Sequence, residues 1–565
     1  MKASDLLLKC LAEEGVEVMF GVPGEENDDL MISLLDSPIR FILTRHEQGA
    51  AFMANVYGRL TGRPGVCLGT LGPGATNLTT GVGNAHFDRS PLVVITGQAS
   101  TRRLHKESHQ AMDVVDMFRP ITKWTTTVRQ AENIPEVVGK AFKLAAMEKP
   151  GACHIELPED VAASKTAALT APYCRSEFRR PAPDHKALDR VMAILADAKR
   201  PIILAGNGCV RRRASRQLRR LAEATGIMVA HTFMGKGALD DRHPSSLLTA
   251  GLGSRDHVTE AFELADVVLA IGYDMIEWPA DHWNPNRDKR IVHIDFAPAE
   301  IDNHYQCDVE VVADIAATLR EINQRLDGAL HFEEPLYRHL RDHILCEIGL
   351  GDLASTSHDD LDREAVAAVT SDAFPFKPQR IVADLRRLLG EEDILISDVG
   401  AHKMWVARHY AAFRPNTCLI SNGFCSMGIA LPGAIAAKMT LPERRVVGLC
   451  GDGGFLMNLQ DLATAVQYEV PAVIVVWEDG GYGLIEWKQQ NRFGRTSHVR
   501  FTNPDLEGVS AAFGAHAVRV RSADHFREAM EGAFAETRRP SVVIVPVDYS
   551  ENMKLSARLG RLLAH

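Results

Sequence analysis

At 565 residues the chain exceeds what one hydrophobic core organises, and its length favours about two to four domains. Hydrophobic residues make up 46% and charged residues 24%, an ordinary globular balance that excludes intrinsic disorder. The 63 basic and 73 acidic side chains leave a formal charge of −10, with no long Lys/Arg run to offset it. Neither nucleic acid nor an anionic membrane is an expected partner, because both repel such a chain.

The opening stretch MKASDLLLKCLAEEG does not read as a secretory leader, since Lys9 interrupts its apolar run and Glu13 and Glu14 follow. No uninterrupted apolar stretch reaches the roughly 18–20 residues of a membrane helix. The ten cysteines are scattered, without a CxxC pair or zinc-type spacing. That pattern predicts reduced, mostly buried thiols in a cytoplasmic protein.

Short apolar runs alternate with helical patterns, which predicts an α/β chain with parallel sheets. The first block, residues 1–170, holds candidate strands FILT (Phe41–Thr44), GVCLGT (Gly65–Thr70) and PLVVITG (Pro91–Gly97), with a helical stretch from Glu47. An Ala-, Pro- and Arg-rich stretch from Ala167 to His185 reads as a linker. The second block, 186–330, holds PIILAG (Pro201–Gly206), DVVLAIG (Asp266–Gly272) and RIVHID (Arg290–Asp295). Polarity rises and apolar periodicity fades over 331–377, which predicts a long surface-lying connection. The third block, 378–548, holds DILISD (Asp393–Asp398), RVVGLCGD (Arg445–Asp452) and PAVIVVWED (Pro471–Asp479), and a tail covers 549–565.

The sharpest chemical signal lies in that third block. A strand runs into the turn GDGG (Gly451–Gly454), a helix follows over Asn458–Gln467, and a second strand ends at Glu478–Asp479–Gly480–Gly481–Tyr482–Gly483. In a parallel βαβ unit both strands finish at one sheet edge, so Asp452 and Asp479 come together. Two carboxylates beside glycine-rich turns suit a magnesium ion holding a phosphate group. In the first block, Arg45–His46–Glu47–Gln48–Gly49 precedes a helix, and GTLGPGATN (Gly69–Asn77) opens another. Glu47 at a helix start is also what the helix dipole alone favours. His46–Glu47 lacks a second zinc ligand because position 50 is alanine. The chain contains no GxGxxG, GxxxxGK[ST] or GxSxG, which removes the usual dinucleotide, P-loop and α/β-hydrolase signatures.

Taken together, RHEQGAAFMANVYGRLTGRPGV, GTLGPGATN, RSPLVVITGQ, GDGGFLMNLQDLATAVQ and EDGGYG resemble the thiamine diphosphate enzymes of the acetolactate synthase group, in that family's order and over nearly the whole chain. The resemblance implies a pyrimidine-binding domain, a central Rossmann-like domain and a diphosphate- and magnesium-binding domain. It implies a homodimer or homotetramer with active sites between subunits, and leaves room for a regulatory subunit. It assigns Glu47 to the coenzyme's aminopyrimidine ring, and Asp452, Asp479 and the Gly481 carbonyl to magnesium. Pro23, Gly24, His402, Met427, Gly453, Gly454 and Tyr482 are assigned to the coenzyme, and Gln110 to the substrate. The implied reaction is decarboxylation of a 2-oxo acid, pyruvate first, with carboligation to 2-acetolactate. A plain 2-oxo acid decarboxylase, an aldehyde or hydroxy-ketone lyase, and a non-catalytic regulatory relative are the alternatives. AIGYDMIEWPADHW (Ala270–Trp283) replaces the flavin-binding segment of biosynthetic synthases, so FAD is not expected. GEEN (Gly24–Asn27) places Glu26 where the catabolic synthases carry a lysine, which leaves donor and acceptor open.

Overall fold

The structure is a computed structural model that describes residues 1–167, 171–173, 180–211, 213–252, 256–326, 328, 330–351 and 366–552. Three six-stranded sheets, parallel throughout, follow one another along the chain. The first contains β1 (Val18–Gly21), β2 (Arg40–Leu43), β3 (Gly65–Gly69), β4 (Leu92–Gln98), β5 (Trp124–Thr127) and β6 (Ala152–Pro158), in the order β2-β1-β3-β4-β6-β5. The second contains β7 (Pro201–Ala205), β8 (Met228–His231), β9 (Ser246–Thr249), β10 (Val267–Ile271), β11 (Arg290–Asp295) and β12 (Val309–Val312), in the order β12-β11-β10-β7-β8-β9. The third contains β13 (Ile394–Ser397), β14 (Cys418–Ile420), β15 (Val446–Gly451), β16 (Val473–Glu478), β17 (His516–Arg519) and β18 (Ser541–Pro546), in the order β14-β13-β15-β16-β18-β17. Counted from its own first strand, the third sheet repeats the order of the first.

Helices cover both faces of these sheets, so the central strands are apolar without alternation; every residue of β4 is buried. The first and third sheets share one core. The Glu47–Thr61 helix contributes Ala50, Ala51 and Ala54, and the Ala430–Thr440 helix contributes Ala430, Ala434 and Ala437. Small side chains bring the two helix axes close, and Arg59 Nη1 donates to the Ile420 carbonyl at 3.0 Å across the same junction.

Strand order reverses between β1 and β3 in the first sheet and between β13 and β15 in the third. Parallel sheets open a ligand crevice at the carboxyl ends of strands flanking such a reversal. The second sheet reverses between β7 and β10, and there the backbones close on each other. Gly206 N donates to Ile271 O at 2.9 Å and Gly208 N to Gly272 O at 2.9 Å. A Cβ at Gly208 would lie 2.6 Å from Gly272 Cα.

The 331–377 connection differs from the surface-lying segment read from the sequence. Pro335–Glu347 is a helix whose Tyr337, Leu340 and Ile344, with Ile348 beyond, are buried in the core cluster of the central sheet. Residues 352–365 lie outside the described residues, as do 168–170 and 174–179 of the 167–185 linker and 553–565 of the tail. Among the described residues no helix is long and apolar enough to cross a membrane, and seven of the nine described cysteines are buried.

Candidate active site

The residues singled out in the sequence gather at the two open crevices. At the first, Glu47 begins the Glu47–Thr61 helix, capped by His46, whose Nδ1 accepts from Gln48 N at 3.1 Å. Glu47 is buried, 9% exposed, and its Oε2 accepts from Asn77 Nδ2 at 2.9 Å. Asn77 sits on the Pro73–Phe87 helix opened by the GTLGPGATN turn. Pro23 and Gly24 follow β1, with Gly24 backed against Thr70 after β3. Gln110 lies on the exposed loop beyond β4 with φ +56°, its backbone against Gly72. The base of that loop is tied down by Gln98 Nε2, which donates to Met112 O at 2.9 Å and Glu156 Oε1 at 2.7 Å. Glu26 is buried and accepts from Thr70 Oγ1 at 2.8 Å, whereas Glu25 is the exposed carboxylate of this turn.

At the second crevice, the turn expected at GDGG is instead the start of a helix. Asp452–Asn458 is helical with Gly451 as its N-cap, so Asp452, Gly453 and Gly454 form the first turn. First-turn amides have no acceptor within their own helix. Asp452 is fully buried, and its Oδ2 accepts from Asp479 N at 3.1 Å, Gly480 N at 2.7 Å and Asn503 Nδ2 at 2.7 Å. Asp479 leaves the neighbouring strand β16. Burial, and then the Asp452 carboxylate, push its carboxyl up to about 7. Arg500 Nη1 partly balances the pair, donating to Asp479 O at 2.8 Å and Oδ2 at 3.3 Å. Gly481 and Tyr482 continue the turn, held by Tyr482 N donating to Val499 O at 2.8 Å.

Met427 and Tyr482 bracket Gly453: a Cβ there would meet the Tyr482 ring at 3.0 Å and Met427 Cε at 3.6 Å. The loop carrying Met427 is pinned from both sides. Gly428 N donates to Asp398 Oδ1 at 2.8 Å, and Asn458 Nδ2 donates to Gly428 O at 2.8 Å. Asp88 Oδ1 accepts from Gly423 N at 2.9 Å and Asn84 Oδ1 from Ser421 Oγ at 2.9 Å, so the loop rests on the end of the Pro73–Phe87 helix. His402, on the Ala401–His409 helix after β13, is buried, and burial pushes its imidazole down to about 3. Its Nε2 is buried without a hydrogen-bond partner among the described residues.

Each sequence-level assignment therefore lands at one crevice or the other. Pro23, Gly24, Glu47 and Gln110 belong to the first; His402, Met427, Asp452, Gly453, Gly454, Asp479, Gly481 and Tyr482 belong to the second. Among the described residues, no hydrogen bond or ion pair joins one set to the other within the chain. Asn77, Asp398, Asn503 and Arg500 were missed. Asn77 lies inside a quoted motif and Asp398 ends a quoted strand, so both were in view; Asn503 and Arg500 carry no local signal.

Comparison with known proteins matches the chain to three family models. Residues 1–117 match the thiamine pyrophosphate enzyme N-terminal TPP binding domain, 188–322 the central domain, and 398–545 the C-terminal TPP binding domain. The chain belongs to the thiamine pyrophosphate enzymes. Within them it is 36% identical to an acetolactate synthase of Bacillus subtilis over 98% of this chain and 95% of the relative. It is 35% identical to a catabolic acetolactate synthase of Raoultella terrigena over 98% and 97% respectively. A probable acetolactate synthase large subunit of Methanocaldococcus jannaschii is 33% identical over 100% of this chain and 94% of the relative.

A thiamine pyrophosphate enzyme must hold a diphosphate group, and the second crevice fits one. The buried Nε2 of His402, unpartnered among the described residues, and the first-turn amide of Gly454 are the polar groups left for an anion and its cation, whereas Gly453 N already donates to Asp452 Oδ1 at 2.8 Å. The residues around Glu47 fit the other end of the coenzyme, because Asn77 fixes one carboxylate oxygen and thereby the direction of the second.

Proposed function

We propose that this enzyme decarboxylates pyruvate and joins the two-carbon remainder to the carbonyl carbon of a second pyruvate, giving 2-acetolactate and carbon dioxide. The observation that carries the reading is the Glu47–Asn77 pair at one strand reversal and the Asp452–Asp479 pair at the other. The acetolactate synthases aligned over 94–97% of their own lengths support the choice of reaction.

Thiamine diphosphate, when bound, supplies an acidic thiazolium carbon and the electron sink that decarboxylation requires. The chain's own residues hold, orient and protonate. Asp452, Asp479 and the Gly481 carbonyl would bind magnesium; hard oxygens from one or two carboxylates, completed by phosphate oxygens, suit that ion. Phosphate oxygens and waters would complete the shell. The raised carboxyl of Asp479 beside Asp452 marks two like charges that a divalent cation would reconcile. Glu47 would share a proton with the pyrimidine ring nitrogen, held in line by Asn77. Met427 and Tyr482 would hold the ring system over Gly453, and Gln110, with Pro23 and Gly24, would line the substrate side.

We further propose a homodimer or homotetramer that brings the first crevice of one subunit to the second crevice of another, with the three sheets serving pyrimidine, central and diphosphate roles. We also propose that the protein works without FAD: the Gly206–Gly208 and Gly272 backbones approach closely at the reversal of the central sheet, and Lys149 Nζ pairs with Asp274 at 2.6 Å and Asp295 at 3.1 Å. The purified protein should therefore show no flavin absorption. The exposed Glu25 favours a second reading, a neutral aldehyde in place of the second pyruvate, since an anionic acceptor would meet a like charge.

The deciding experiment supplies a panel of 2-oxo acids with thiamine diphosphate and magnesium and identifies products by mass spectrometry. Acetolactate from pyruvate supports the reading, acetaldehyde or a mixed ketol supports the second, and no carbon dioxide from any acid removes both. Glu47→Gln should lower kcat by about 100-fold or more while coenzyme affinity holds.

A further inference from the structure

We propose that Asp461 is a positioning residue for Glu47, reaching from the third domain to fix the start of the Glu47 helix in the first. This rests on Glu47 acting upon the coenzyme, but the geometry stands by itself. Asp461 closes the helical segment that begins at Asp452 and stands just before the Leu462–Gln467 helix, and it is fully buried. Its Oδ1 accepts from Arg45 N at 3.0 Å, two residues before Glu47, and from Thr464 Oγ1 at 3.0 Å. Its Oδ2 is buried with no hydrogen-bond partner among the described residues, and it faces the first turn of the Glu47–Thr61 helix. The approach is so close that a Cβ at Gly49 would lie 1.9 Å from Oδ2. Only glycine leaves that space, so Gly49 and Asp461 form one fitted pair.

Neighbouring contacts reinforce the clamp. Tyr468 Oη accepts from Leu43 N at 2.9 Å, and the Arg45 guanidinium donates to Gln467 Oε1. The end of β2 and the helix start are thus held by residues 461–468 of the third domain. A carboxylate at a helix N-terminus also meets the positive end of the helix dipole. The contact sits on the backbone beside Glu47 rather than on its side chain, so its effect is on where the carboxylate stands.

The test uses the full chain and two readouts. Without coenzyme, amide hydrogen exchange in the peptide containing Arg45 should rise about five- to tenfold in Asp461→Ala, the loss of one net hydrogen bond. Asp461→Asn should retain the wild-type rate, because its carboxamide oxygen still accepts. With thiamine diphosphate and magnesium bound, exchange of the thiazolium C2 proton, followed by NMR, should slow about tenfold in Asp461→Ala at unchanged coenzyme affinity. Gly49→Ala should slow it too, and less so when combined with Asp461→Ala, which removes the clashing carboxylate. If Asp461→Ala does not fold, Gly49→Ala carries both readouts. Wild-type protection and wild-type C2 exchange in these variants would overturn the proposal. Unchanged C2 exchange in Glu47→Gln would instead remove the role given to Glu47, leaving the Arg45 amide to judge Asp461.

Discussion

At Asp452 one carboxylate oxygen takes three N–H donors while the other accepts from Gly453 N at 2.8 Å. Asp452→Ala therefore strands buried donors as well as removing a proposed cation ligand. Unfolding should cost less by about 1–3 kcal/mol, read as a lower Tm, and the coenzyme Kd at fixed magnesium should rise at least about tenfold by calorimetry. Chelating magnesium from the wild type should release coenzyme in the same way yet leave the donors paired, so the stripped wild type should still melt above the variant. Asp452, Asp479 and Glu47 were legible in the sequence because each is an acid placed directly after an apolar strand or at a helix start. Asn503 and Asp461 were not. Their partners lie 51 and 416 residues away, and only the folded chain brings them together.

Among elements, the strands were the most legible, since burial on both faces writes each as an unbroken apolar run. GDGG misled because its glycines suggest a turn, whereas β15 passes straight into a helix at Asp452, where Gly453 makes room for Tyr482 and Met427 and Gly454 for Asp398. The Pro335–Glu347 helix was hidden for another reason. Its apolar positions are separated by Arg338, Arg341 and Asp342, and the stripe becomes visible only against the central sheet it covers. Ile344 is fully buried there. Ile344→Ala should destabilise the central domain by about 2–5 kcal/mol, shifting its urea midpoint down, with turnover at low temperature retained because no site residue lies on this helix.

For the whole molecule, the seam between the central and third domains carries its own titration. Glu277 lies beyond β10, accepts from Met234 N at 2.8 Å through Oε2, and receives Asn422 Nδ2 on its carbonyl at 3.2 Å. Burial pushes its carboxyl up to about 7. The folded protein thus keeps a proton that the unfolded chain releases near the ordinary carboxylate value. That stabilising contribution is complete at low pH and is lost as pH rises through about 7. Tm measured from pH 5 to 8 should fall more steeply for the wild type than for Glu277→Gln. The first and third sheets share one strand order, while in the middle sheet the main-chain hydrogen bonds at the reversal run on past the strand ends to Gly206 and Gly208. No exchange of side chains can reopen a seam made of backbone. Changing how closely these main chains approach would mean rebuilding whole loops around Gly206 and Gly272, and point mutation is the wrong tool for it.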